Sequence, residues 1–333
     1  MIPVVDAHND LLLELVLRDG EENPFAAHWL PQLRAGSVAV QICPVYAADA
    51  GEGARDVVAA QIAAFDRAVR ESAGEIVQIR SAGDLDALDG RLGLMLSMEG
   101  VEALQGDPGA FDELWDAGAR MVSLTWNYPN PFAGGLDAPD QGLTDAGREL
   151  VATFAERGVV LDLAHASEPT FFEALGAAPG AQVVVSHAGC RGVHDHVRNV
   201  SDDQLRALAE RGGVLGIMAL TLTVGRDAAS LERYLDHVDH AVETMGIEHV
   251  ALGSDFIDQV IEAELAAGLP LNPATQEALE LGGGRLAIQE LVGPADYPAL
   301  LDALRGRGYE GERLDAIAHG NLLRVLRAAL PPA

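Results

Sequence analysis

Six short stretches stand out, five of them carrying the imidazoles and carboxylates on which hydrolytic or metal chemistry would rest. They are Asp6-Ala7-His8-Asn9-Asp10, Ser97-Met98-Glu99-Gly100, Thr125-Trp126-Asn127, Asp162-Leu163-Ala164-His165, Ser186-His187 and Ser254-Asp255-Phe256. A first-row divalent cation is held by several nitrogen and oxygen donors converging on one point, so His8, Asp10, Glu99, His165 and His187 form a candidate ligand set if the fold brings them together. Taken singly, each has a plainer account. His8-x-Asp10 is a short, common pattern and could be a polar turn. Glu99 could be an exposed turn residue, and Asp255 could cap a helix. His165 and His187 could each be a hydrogen-bonded core histidine. The decision rests on where the chain places them.

Short apolar or β-branched runs recur along the chain at residues 4–7, 38–42, 92–97, 121–125, 159–163, 183–186, 214–218 and 250–253. Most are almost continuously apolar, as expected of parallel strands covered on both faces. The segments between them are helical in pattern, over 56–71, 150–157, 202–211 and 231–245. Ser201 with Gln204 forms a capping-box signature at the start of the third, and glycines close the second, third and fourth. No internal repeat or low-complexity tract interrupts the alternation. Eight strand–helix units predict one closed (β/α)8 barrel over residues 1–333, an α/β fold whose active site stands at the C-terminal ends of the strands. All six stretches fall at predicted strand ends. On that fold the plain accounts would all have to hold at once, and a metal centre is the better reading. His8 and Asp10, two apart on a strand, are expected to face the same way.

Composition removes several alternatives. The chain has 333 residues, 51 acidic against 22 basic, and a formal charge of −29. It contains no lysine, which excludes a Schiff-base lysine, a phosphate-loop lysine and a carbamylated lysine bridging two metals. So acidic a surface repels phosphate backbones and anionic lipid, which argues against nucleic-acid and membrane partners. With 49% hydrophobic residues, the chain can bury a large core. Two cysteines, Cys43 and Cys190, make no disulfide framework. The stretch Met1-Ile2-Pro3-Val4-Val5-Asp6 lacks the pattern of a signal peptide, and a cytoplasmic location is expected.

The ordered motifs resemble the membrane (renal) dipeptidase family of the amidohydrolase superfamily. The likeness rests on Asp6-Ala7-His8-Asn9-Asp10, Met98-Glu99-Gly100, Leu161-Asp162-Leu163-Ala164-His165, Ser186-His187, Arg198-Asn199-Val200, Gly253-Ser254-Asp255-Phe256 and Gly320-Asn321-Leu322-Leu323-Arg324-Val325. The resemblance implies a binuclear zinc dipeptidase acting on small dipeptides, with L-Xaa-D-Xaa pairs among them. It implies that His8, Asp10 and Glu99 hold one Zn2+, and that Glu99, His165 and His187 hold the second. Glu99 and a hydroxide would bridge the two. It further implies that Asp255 shuttles the proton, that Arg198 pairs with the substrate's terminal carboxylate, and that the chain forms a homodimer. Other divalent metals also suit mixed nitrogen and oxygen donors.

The pattern departs from the family at two places. Trp126 stands where the family commonly has a histidine that polarises the scissile carbonyl, and an indole offers a single N–H. Met218-Ala219-Leu220 stands where a polar run is usual. Trp126 and Asn127 are therefore candidate substrate contacts of altered character. A hydrolase of another small amide, lactam, N-acyl amino acid or ester remains open. So does a metal-bound but catalytically silent protein, although Asp255 speaks against it. His194 and His196 read as a solvated loop or a pocket rim. His237 and His240, at helical spacing, read as structural or exposed, and Cys190 reads as a packed thiol. His28, His249 and His319 have no partner visible in the sequence.

Overall fold

The computed structural model describes residues 2–48, 51, 53–271, 273–281 and 283–332. Nine parallel strands form one sheet: β1 (Val4–Asp6), β2 (Val38–Tyr46), β3 (Ile76–Gln78), β4 (Leu92–Glu99), β5 (Met121–Ser123), β6 (Val160–Asp162), β7 (Val183–Ala188), β8 (Val214–Ile217) and β9 (Val250–Leu252). Pairing of β2 with β4 closes eight of them into a barrel, and helices surround it. All eight expected runs are strands. The ninth, β3, was not anticipated: it pairs only with β4, alongside Leu92–Leu94, below the point where β5 joins at Ser97.

The expected helices also form, over Ala54–Glu71, Asp145–Arg157, Asp202–Glu210 and Leu231–Met245. Ser201 and Gln204 make both halves of the capping box, a feature whose loss costs about 1 kcal/mol. Among the described residues, no helix is long and apolar enough to cross a membrane.

Strand alternation separates the core into two layers. Along β4, Leu94, Leu96 and Met98 pack outward against the helices, while Met95 faces the barrel interior. The same period of two turns Ser97 and Glu99 inward. The interior is filled by Val5, Val40, Met95, Met121, Val160, Val184 and Val214. The C-terminal helix Asn321–Ala329 seals one mouth with Leu322, Val325 and Leu326. Asn321 Nδ2 donates there to the carbonyls of Ile247 and Val250, at the entry to β9. The other mouth, at the strands' C-terminal ends, is left to polar groups.

Glycine permits a close approach below that mouth. A Cβ on Gly216 or Gly253 would stand 2.0 or 1.9 Å from the Ser186 carbonyl oxygen. Immediately beyond, β7 shifts register between Val185 and Ala188, a bulge of the kind that re-aims side chains at a site.

Candidate metal centre

Asp10, Glu99, His165, His187, Arg198 and Asp255 meet at the open mouth together with His8, each no more than 9% exposed. His8 Nε2 lies 3.4 Å from Asp10 Oδ1, 3.7 Å from Glu99 Oε2 and 3.8 Å from Asp255 Oδ1. The other oxygen of Glu99 faces the opposite way: Oε1 is 2.8 Å from His165 Nε2 and 3.2 Å from His187 Nε2. Glu99 therefore stands between two groups of donors, one oxygen to each. Two triads, His8–Glu99–His187 and His8–Asp10–Asp255, keep their donor atoms within 4.8 Å of one another.

The expected cause of the His8–Asp10 proximity needs correcting. β1 ends at Asp6, and Asp10 immediately precedes the helix Leu11–Leu17, so the two side chains meet across a turn and not by strand alternation. Asp255 caps no helix, because the next one begins at Asp258. Both His165 and Asp255 adopt left-handed backbone, at φ 61° and 59°. Such conformations cost a non-glycine residue free energy and cluster at functional sites.

Two hydrogen-bond relays orient the imidazoles. Ser186 Oγ donates to Asp162 Oδ2 at 2.5 Å and lies 2.7 Å from His187 Nδ1. Asp162 Oδ1 accepts from the amides of Ala164 and Ser186 at 3.0 and 2.9 Å. With its own proton committed, Ser186 Oγ accepts from His187 Nδ1–H, which leaves the Nε2 lone pair aimed at Glu99. His165 Nδ1 is 2.8 Å from Asn127 Oδ1, which assigns it the same tautomer. This is how imidazole ligands are usually presented to a metal. Asn127, expected to touch substrate, thus has a partner in His165. Asp162 and Ser186 lay within the sequence motifs without an assigned role.

The electrostatics also call for a cation. Burial raises the Glu99 carboxyl well above its ordinary range and lifts Asp255 to about 6. Burial alone would lower His8, but Glu99, Asp10 and Asp255 outweigh it and push His8 up to about 10. His165 and His187 are driven well below the usual histidine range, chiefly by burial. His8 Nε2 and Asp10 Oδ1 are buried without a hydrogen-bond partner among the described residues. The two lone pairs of His165 and His187 face each other 3.0 Å apart. The unpartnered His8 Nε2 and Asp10 Oδ1, converging with the nitrogens of His165 and His187 around Glu99, fit a divalent metal.

Arg198 is buried, with Nη2 2.8 Å from His165 Nε2, and is no surface ion pair. The Trp126 ring stands edge-on to Tyr46 and Tyr128, with ring centroids 5.1 and 5.6 Å away, and its centroid lies 6.1 Å from that of His165. Met218 is buried, and its sulfur accepts from Thr223 Oγ1. His194 and His196 stack in a half-buried loop, and are less solvated than expected. His237 is buried and structural: Nδ1 accepts from the Cys190 amide, and Nε2 faces the Val224 carbonyl. Cys190 is a packed thiol that donates to the His237 carbonyl. His240 pairs with Asp202, His28 with Glu21, and His249 Nδ1 meets the Gly213 carbonyl.

A family model described as membrane dipeptidase, peptidase family M19, matches residues 1–268. An uncharacterised dipeptidase of Schizosaccharomyces pombe is 31% identical over 287 residues, 76% of this chain and 68% of that one. The crystal structure of dipeptidase AC, a metallopeptidase of family M19, superposes with a TM-score of 0.85 at 26% identity, covering 99% of both chains. A metallopeptidase from Rhodobacter sphaeroides, crystallised with a phosphinate mimic of the dipeptide L-Ala-D-Ala, shares the fold with a TM-score of 0.84 at 24% identity over 98% of this chain and 99% of that one.

Proposed function

The chain belongs to the membrane dipeptidase family, peptidase family M19, and as a metallo-dipeptidase of that family we propose that it works with two zinc ions at the barrel mouth. His8, Asp10 and Glu99 would hold one, and Glu99, His165 and His187 the other. The observation that carries this reading is Glu99 with its two oxygens turned to separate imidazoles. Bound there, the cations would supply the charge that makes a water nucleophilic near neutral pH and polarises the scissile carbonyl.

The remaining steps fall to the chain itself. Asp255, with its pKa lifted to about 6, is suited to take a proton from the attacking water and give it to the leaving amine. Arg198 is the buried guanidinium beside the centre and would anchor the substrate's C-terminal carboxylate in a bidentate contact. Trp126, Tyr46 and Tyr128 form an aromatic wall near His165 against which the substrate would lie. Substrates would include L-Xaa-D-Xaa dipeptides, a class supported by the ligand of the Rhodobacter neighbour. The indole at Trp126 and the apolar Met218–Leu220 stretch favour a second reading, in which the amide hydrolysed is not a dipeptide.

The test is amino-acid release from a matrix of L-Xaa-L-Xaa and L-Xaa-D-Xaa dipeptides by zinc-loaded protein, with zinc content measured alongside. Two zinc per chain and selective release are expected. Full metal content with no release from any pair would move the substrate to the second reading.

A further inference from the structure

A cavity of about 280 Å3 adjoins the metal centre, sharing His165 and Arg198 with it. At about 30 Å3 per water, that is room for roughly nine waters, enough for one amino-acid side chain. Its inner wall includes Leu163 and Val185, and it holds a second cation, Arg191. The Nε of Arg191 is buried without an acceptor, and the side chain has no ion pair among the described residues although the protein carries 51 acidic residues. The carboxylates nearest the cavity, Glu168 and Asp195, are exposed at its rim and pair with neither arginine. Arg191 is thus a half-buried guanidinium that lines the cavity without a carboxylate partner of its own, and the geometry leaves it to an anion that enters from outside.

The two arginines are held at a set separation. They stand on the two arms of the loop 189–200, which is stitched across its base. The Arg191 amide donates to the Val200 carbonyl at 2.8 Å, and the Val200 amide donates to the Gly189 carbonyl at 3.0 Å. Asn199 Oδ1 accepts from the Gly189 amide, and His237 receives the Cys190 amide. We infer that Arg191 makes this cavity a subsite for an acidic C-terminal residue, aspartate or glutamate, whose side-chain carboxylate it binds while Arg198 takes the α-carboxylate. The inference rests on the dipeptidase reading above. The acidic residue supplies the acceptor that Arg191 lacks, and charge-assisted hydrogen bonds of this kind are about twice as strong as neutral ones. A glutamine side chain of the same length brings no charge.

Two measurements test it. Calorimetry on zinc-loaded protein compares L- and D-glutamate with the matching glutamines, and hydrolysis compares Ala-Glu with Ala-Gln of both configurations. Glutamate should bind at least tenfold tighter than glutamine in at least one configuration, with kcat/KM favouring Ala-Glu to a similar degree. Arg191→Gln should collapse both ratios towards one, and Arg191→Lys should keep part of each. Equal binding of glutamate and glutamine by the wild type overturns the inference. So does an Arg191→Gln variant that loses Ala-Glu and Ala-Gln turnover equally, since Arg191 would then serve a group common to all substrates. A wild type that binds glutamate tenfold tighter through Arg191 yet cleaves neither dipeptide would sustain the acidic subsite and sink the dipeptidase reading.

Discussion

Asp162→Asn should weaken metal binding by moving a proton two residues away in a relay, without unfolding the protein. Asp162 is 4% exposed and accepts three hydrogen bonds, from the Ala164 and Ser186 amides on one oxygen and from Ser186 Oγ on the other. An asparagine of the same shape can settle in two ways. With its NH2 against the two amides it leaves both donors unsatisfied, at about 1–3 kcal/mol each. It will therefore turn its carbonyl to the amides and its NH2 to Ser186 Oγ. That hydroxyl must then accept from the introduced carboxamide and give its own proton to His187 Nδ1. The ring proton moves to Nε2, which lies 3.2 Å from Glu99 Oε1, and the lone pair meant for the metal is gone. Loss of such an outer partner typically costs 10–100-fold in metal affinity, or about 1.4–2.8 kcal/mol. Competition titration against a chromophoric chelator should show one zinc weakened by that amount, with the second less affected. Nitrogen chemical shifts of the metal-free protein should show His187 carrying its proton on Nε2. Asp162→Ala offers no donor to Ser186 and should cost stability more than affinity. Unchanged zinc affinities in Asp162→Asn, or a His187 proton that stays on Nδ1, would refute the relay.

Three further outcomes follow from the same geometry. Asp255→Asn should keep both metals and lose about 10²–10⁴-fold in kcat on a good dipeptide, and near-normal turnover would remove Asp255 from proton transfer. Gly253→Ala puts a methyl 1.9 Å from the Ser186 carbonyl oxygen; overpacking of this kind costs about 1–3 kcal/mol, so both the melting temperature and zinc affinity should fall, and an unchanged melt would contradict the close contact. His237 is held down to about 4 by burial, so between its unfolded pKa near 6.5 and that value the unfolded chain binds the extra proton. Its contribution to stability is complete above about pH 6.5 and is lost as the pH falls, by about 2 kcal/mol at pH 5. His237→Gln can keep both hydrogen bonds without titrating, and should flatten that part of the urea-measured pH dependence; parallel wild-type and variant curves would rule out His237 as its source.

What the sequence made legible follows from the physics of buried parallel strands. Each barrel strand is covered on both faces, so it reads as a continuous apolar run, and all eight runs could be found without tertiary information. The three-residue β3 gave no such signal, because it borders β4 on one side only and carries Gln78 at its end. β2 runs on to Tyr46 through Pro44, past the expected end at residue 42, and that extension puts Tyr46 in register with Glu99. The candidate ligands were legible because each stands where an apolar run ends. The groups that aim them were not. Asp162 and Ser186 lie on neighbouring strands 24 residues apart, and Asn127 reaches His165 across 38. No spacing rule encodes those separations, since they are set by strand register and by the bulge in β7. One signal was available all the same. Asp162 is a carboxylate inside the otherwise apolar run 159–163, and burial obliges such a group to find donors. A search for charged residues inside apolar runs, and not only after them, would have led from Asp162 to Ser186 and so to the tautomer of His187. Arg191 follows the same logic from the other direction: in a chain with a −29 charge, an arginine that lines a cavity with no ion pair among the described residues marks a place kept for an anion that the protein does not itself provide.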